Sequence, residues 1–140
     1  MTAALLVQLL SCFFMTGVIW TIQLVHYPSF RYTTEQFSAF HKFHSNRITW
    51  IVLPAMSLEL ISAAALVFFD PSSIWIGNVF GVLIIWLATA LLSVPQHNLL
   101  ARSFDSDAST KLIYTNWVRT CTWTVRSLVL AALLFDLISK

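Results

Sequence analysis

Charge is what this chain has least of. Only 10% of its 140 residues are Asp, Glu, Lys or Arg, against about 25% in an ordinary soluble domain. That deficit excludes a solvated globular surface. Glycine is rare as well, at three, beside four prolines, and no Gly/Ser linker or low-complexity tract divides the chain. The two cysteines, Cys12 and Cys121, are too few for a disulfide framework. Helical rise puts them at different depths, and both read as small buried apolar residues. The eight basic residues are scattered, which excludes a nucleic-acid-binding patch.

What remains is apolar: 58% of the residues are hydrophobic and the mean hydropathy is +0.77. Four long apolar runs fall at about residues 3–27, 47–69, 74–95 and 112–138. Each is close to the ~20 residues that span ~30 Å of hydrocarbon as a helix. The first run lacks a basic n-region and a small-residue cleavage site, and it is too long for a signal peptide. Together the runs occupy most of residues 1–140, so the expected fold is all-α, one integral-membrane four-helix up-down bundle in a single domain.

Local signals set the expected boundaries. His26-Tyr27-Pro28 should end the first helix, because proline lacks a backbone donor and restricts its neighbour. Ser93-Val94-Pro95-Gln96-His97 should end the third in the same way. Thr33-Thr34-Glu35-Gln36 has the Thr-x-x-Gln form of a capping box, and Phe37, Phe40, His41 and His44 follow at helical spacing. The expectation is a short amphipathic helix between helices one and two, lying at the interface or running straight into the second. Asp70-Pro71-Ser72-Ser73 is a tight turn, while Asn98–Lys111 reads as a polar loop of about a dozen residues. Pro54 could kink the second span.

This topology brings all four histidines, His26, His41, His44 and His97, to one membrane face. That face also holds Arg31, Lys42, Arg47, Arg102 and Lys111, against Lys140 alone on the other side with Asp70, Asn78 and Asp136. The positive-inside rule makes the histidine side cytoplasmic and puts both termini outside.

The last span carries the sharpest signal. Arg119 and Arg126 lie inside a run long enough to cross a bilayer. At 100° per residue, Asn116, Arg119, Trp123 and Arg126 fall within about 80° of one another. A charge in hydrocarbon is costly unless it faces protein or water, so the stripe must point inward. Arg126 lies roughly 21 Å from the start of its span and Glu59 roughly 18 Å from the start of its own, at ~1.5 Å per residue. A structural ion pair between Glu59 and Arg126 is therefore expected. Arg119 sits a few residues inside the histidine face, with Asn116 above it.

Three readings of the histidines stay open. As metal ligands, His26, His41, His44 and His97 suit iron, copper or zinc, and His41 and His44 can chelate from one turn. Two of them as axial ligands suit haem. Without metal, His26 and His97 can act as bases while Arg119 and Asn116 stabilise an oxyanion. As plain interfacial side chains they would only bond loops and lipid headgroups. Gln23 and Tyr27 border the same region, and Trp117 and Trp123 offer flat faces for a ring. Trp123, on the arginine stripe, is expected to line a pocket.

In order and spacing, VHYPSF (Val25–Phe30), SVPQHNLLA (Ser93–Ala101) and LIYTNWVRTCTWTVRSLVLAAL (Leu112–Leu133) resemble the small four-helix membrane proteins grouped with the anthrone oxygenases. The positions that match their motifs are His26, Asn98, Trp117 and Arg119. Tyr27 between His26 and Pro28, and an extra residue between Pro95 and Asn98, depart from the pattern. The resemblance implies a bacterial inner-membrane oxidoreductase acting on a flat aromatic or quinol-like molecule that arrives from lipid, with Asn98 among the substrate-binding residues. The competing expectation is a non-catalytic accessory subunit, in a homo-oligomer or a larger membrane complex, that uses the same stripe to bind partner helices, lipid or pigment.

Overall fold

Four antiparallel helices make up the fold: α1 (Thr2–Tyr32), α2 (Phe37–Phe69), α3 (Ser73–Leu100) and α4 (Ser106–Ile138). Each is long and apolar enough to cross a membrane, so the expected all-α, multi-pass architecture holds. The computed structural model describes residues 1–33 and 35–139, with no strand among them. Lys140 and Thr34 lie outside the described residues.

The helices form a square in which α1 packs on α2 and α4, and α3 packs on α2 and α4. Cys12, Met15, Ile19, Leu66, Ile85, Trp123 and Leu130 fill its axis. Lipid offers no hydrophobic drive between helices, so small hydroxylated residues join them instead. Thr16 Oγ1 lies 2.6 Å from Ser127 Oγ, Ser62 donates to Gln8 Oε1 at 3.0 Å, and Trp20 Nε1 donates to Thr124 at 3.0 Å. Cys12 is buried in this seam beside Ser127. Cys121, expected to be buried, is exposed on the outer face of α4.

Both prolines fail to end their helices. Ile22–His26 and Thr89–Ser93 are π-turns, closed by Tyr27 N–H to Ile22 O and by Val94 N–H to Thr89 O. Each π-turn is followed two residues later by a proline, Pro28 or Pro95. The wider turn leaves the carbonyls behind the proline free of their usual i–4 partner, which is where a proline ring would clash. Both helices therefore run on, α1 through a final 3₁₀ turn at Phe30–Tyr32 and α3 to Leu100.

The amphipathic segment runs straight into the second span, one of its two expected forms, and is not a separate helix. Its residues are the first turns of α2, which is continuous from Phe37 to Phe69 and passes through Pro54. The Thr33…Gln36 capping box is absent: Gln36 is itself the N-cap, left-handed at φ 57°, without a side-chain cap bond. A capping N-terminal residue needs extended geometry, which that φ forbids. The loop expected at Asn98–Lys111 shrinks to residues 101–105, because Asp105 caps α4 and accepts from Asp107 N and Ala108 N at 2.9 Å each. The Asp70 turn forms as read, its carboxylate accepting from Ser72 and from Trp75 Nε1 at 3.1 Å.

Candidate functional site

The arginine stripe of α4 faces inward throughout: Asn116, Arg119, Trp123 and Arg126 are all buried. Arg126 meets Glu59 at the expected level, Nη1 to Oε1 at 2.7 Å, and its Nε donates to Asn78 Oδ1 at 3.1 Å. Gly81 makes the room, since a Cβ there would stand 2.5 Å from Arg126 Cδ. Glu59 also accepts from Trp123 Nε1 at 2.9 Å. The ion pair thus fixes the indole that forms the floor of a cavity above it.

That cavity, of about 340 Å³, lies between all four helices. Its apolar wall includes Met15, Ile19, Met56, Trp86 and Trp123, and its polar groups include Tyr27, His44, Thr89, Ser93, His97 and Arg119. The volume falls in the range of small-molecule sites, which pair apolar walls with a few convergent polar groups. Thr89, Ser93 and His97 recur every fourth residue on α3. That polar stripe escaped the sequence reading, although its period is visible there.

Arg119 is held from behind. Its Nε donates to Asn116 Oδ1 at 2.9 Å and its Nη2 to the same oxygen. Asn116 Nδ2 donates to Gln23 Oε1 at 2.7 Å, and Gln23 Nε2 to Ile113 O at 3.2 Å. The front of the guanidinium touches Tyr27 Oη at 3.2 Å and Thr89 Oγ1 at 3.4 Å. Among the described residues no carboxylate lies within 4.0 Å of it. The result is a buried, oriented cation without a counter-ion on the wall of an apolar cavity.

Tyr27 Oη continues to His97 Nε2 at 3.0 Å, and His97 Nδ1 to His41 Nε2 at 3.0 Å. The other two histidines pair separately, with the His26 and His44 rings stacked 3.6 Å apart. Among the described residues no group of three or more His, Cys, Asp or Glu is arranged to hold a metal ion. The four-imidazole metal set therefore does not assemble. His41 and His97 instead hydrogen-bond to each other, and His26 and His44 stack.

Several expected site residues fall elsewhere. Gln23 and Asn116 are consumed as supports of Arg119 and do not line the cavity. His26 lines a second cavity, of about 670 Å³, on the outer side of α1 and α2. His41 lies behind His97, outside both cavities. Asn98 is exposed, because the π-turn before Pro95 turns His97 inward and its neighbour outward. Trp117 lies on the outer surface, edge-on to Trp20 at 5.7 Å. One residue from Asn116 is a 100° rotation, so it cannot share that face. Of the expected set, Tyr27, His97, Arg119 and Trp123 line the central cavity, and His44 joins them.

Among known proteins, no family model, curated sequence or solved structure matches this chain significantly.

Proposed function

We propose that this chain is a small membrane oxidoreductase that takes a flat, hydrophobic ring compound bearing a hydroxyl group, quinol-like in chemistry, from the lipid. The observation that carries the reading is the unpaired guanidinium of Arg119 on the wall of an otherwise apolar cavity. Such a charge favours a ligand whose oxygen becomes negative, and a preorganised donor in a dry site stabilises developing charge strongly. Tyr27 and His97 beside it can receive the proton. The ionised ring is then an electron donor, and dioxygen is the acceptor in this reading. Trp86 and Trp123 provide the flat walls. The resemblance to the anthrone oxygenase group supports the same substrate class. Arg31, Lys42, Arg47, Arg102 and Lys111 put the Tyr27–His97 end toward the cytoplasm by the positive-inside rule.

The test uses protein in lipid nanodiscs. 4-Nitro-1-naphthol, whose anion is coloured, should bind one per chain as the anion, and 1,4-naphthohydroquinone should drive oxygen uptake. Arg119→Gln should weaken the binding and abolish the oxygen uptake while retaining helical content. If neither compound engages the wild type, and the chain migrates only with larger partners, the accessory-subunit reading replaces this one.

A further inference from the structure

The contacts Arg119–Tyr27–His97–His41 form an unbroken line of hydrogen bonds from the cavity wall to the first turns of α2. A guanidinium can only donate, a phenol has one hydrogen and two lone pairs, and a neutral imidazole has one donor and one acceptor nitrogen. Arg119 therefore fills one lone pair of Tyr27 Oη. If the phenolic hydrogen points at His97 Nε2, His97 carries its proton on Nδ1 and donates to His41 Nε2. His41 then carries its proton on Nδ1, which is buried without a partner. The reverse order leaves that same Nδ1 without a partner. It also leaves the phenolic hydrogen aimed into the apolar cavity, and it points a second donor at an oxygen already facing a cation. Without a ligand oxygen beside Tyr27, the first order strands one fewer buried polar group, and leaving such a group unpaired is costly.

We propose that Tyr27, His97 and His41 are a proton wire with two polarities, set outward by Arg119 and reversed by one proton from a bound hydroxyl compound. The inference rests on the reading of the central cavity as the site for such a compound. The second lone pair of Tyr27 Oη accepts the ligand's proton. The phenolic proton moves to His97 Nε2, the His97 Nδ1 proton to His41 Nε2, and the His41 Nδ1 proton passes to a water molecule, the acceptor this step requires, that reaches the buried nitrogen from the loop end. One proton enters, one departs, and all three side chains remain neutral. In the reversed wire, the phenolic O–H donates to the ligand's new oxyanion beside Arg119. The anion thus supplies the acceptor for that O–H. His41 is the fifth residue of α2, its ring stacked on Phe37 at 5.7 Å. Its Nδ1 is buried, within about one helical turn (~6 Å of rise) of the helix start.

Nitrogen-15 NMR of histidine-labelled protein in nanodiscs, with assignments by single His→Gln variants, reads each ring's tautomer. In the empty protein His97 and His41 should both be protonated on Nδ1. Tyr27→Phe should abolish that preference at His97 and populate its Nε2–H form. Addition of 4-nitro-1-naphthol, at a pH acidic enough to keep it neutral and colourless in water, should convert both rings to Nε2–H in step with the naphtholate colour. Nε2–H or imidazolium forms in the empty wild type, or tautomers unmoved by Tyr27→Phe, would overturn the wire. So would bound naphtholate that leaves them unchanged. Failure of the naphthol to bind counts against the cavity's proposed function, and the empty-state tautomers still decide the polarity on their own.

Discussion

Arg119 and Arg126 lie two turns apart on one face of α4, yet the fold treats them in opposite ways. Arg126 is neutralised by Glu59 at 2.7 Å, with both side chains at most 6% exposed. Removing one partner of such a buried pair costs about 3–5 kcal/mol, whereas replacing both by apolar residues is often neutral. Glu59→Gln should therefore sharply lower the unfolding midpoint in mixed micelles, and Glu59→Leu with Arg126→Leu should recover most of it. Equal stability of wild type and Glu59→Gln would show that the pair holds nothing together. Arg119 has only neutral partners, and on the proposed function its charge is left for a ligand. A hydrogen bond to a charged group contributes about 1.5–3 kcal/mol. Arg119→Gln should therefore weaken naphtholate binding roughly tenfold to a hundredfold, measured by optical titration. The pairing of Glu59 with Arg126 was legible from depth alone, because rise per residue is fixed. The use of Gln23 and Asn116 was not. A carboxamide both donates and accepts, and the phase of one helix does not say which neighbour takes it.

At the scale of the helix, the prolines explain most of what the sequence concealed. A proline in a regular helix costs about 3 kcal/mol and normally reads as a stop. In α1 and α3 a π-turn placed just ahead of it lets the helix continue. Such a turn is one extra residue in the backbone path, and nothing in hydrophobic periodicity marks it. The start of α4 was readable in principle, since Asp105 before Ser106-Asp107 is an N-cap signal. It was outweighed there by the polarity of the segment. A deletion separates the two roles of the π-turn. Leu91 lies within Thr89–Ser93 and is 68% exposed, so removing it should convert the turn to a regular α-turn without opening the core. Pro95 would then sit in an unrelieved helix, and stability should fall by about 3 kcal/mol. Pro95→Ala in the same deletion should restore it. If the deletion alone is harmless, the π-turn does not serve the proline.

At the scale of the bundle, the four-helix plan followed from run length and charge scarcity. The two cavities did not, because empty space between helices leaves no mark on a single run. Their arrangement bears on how a hydrophobic ligand reaches Arg119. The outer cavity is bordered by the exposed residues Phe13, Phe14, Gly17, Thr21 and Ile51 on the lipid side of α1 and α2. It shares Ile22, His44 and Ile48 with the central cavity. Those three side chains are thus the partition between lipid and site, and the stacked His26–His44 pair stands at its polar end. On the proposed function, a compound dissolved in the bilayer would meet this partition before it reached the central cavity. Gly17 gives a clean way to obstruct the path, since a Cβ there meets nothing within 4 Å. Gly17→Leu should leave the fold and the central cavity intact while filling the outer one. Stopped-flow mixing of nanodiscs with 4-nitro-1-naphthol should then show slower association and slower release by the same factor, with the equilibrium affinity unchanged. That pairing is the signature of a blocked passage, because an obstacle outside the site raises the barrier in both directions equally. A loss of affinity would instead place the outer cavity within the binding site. Unaltered rates would mean that the ligand arrives by another route.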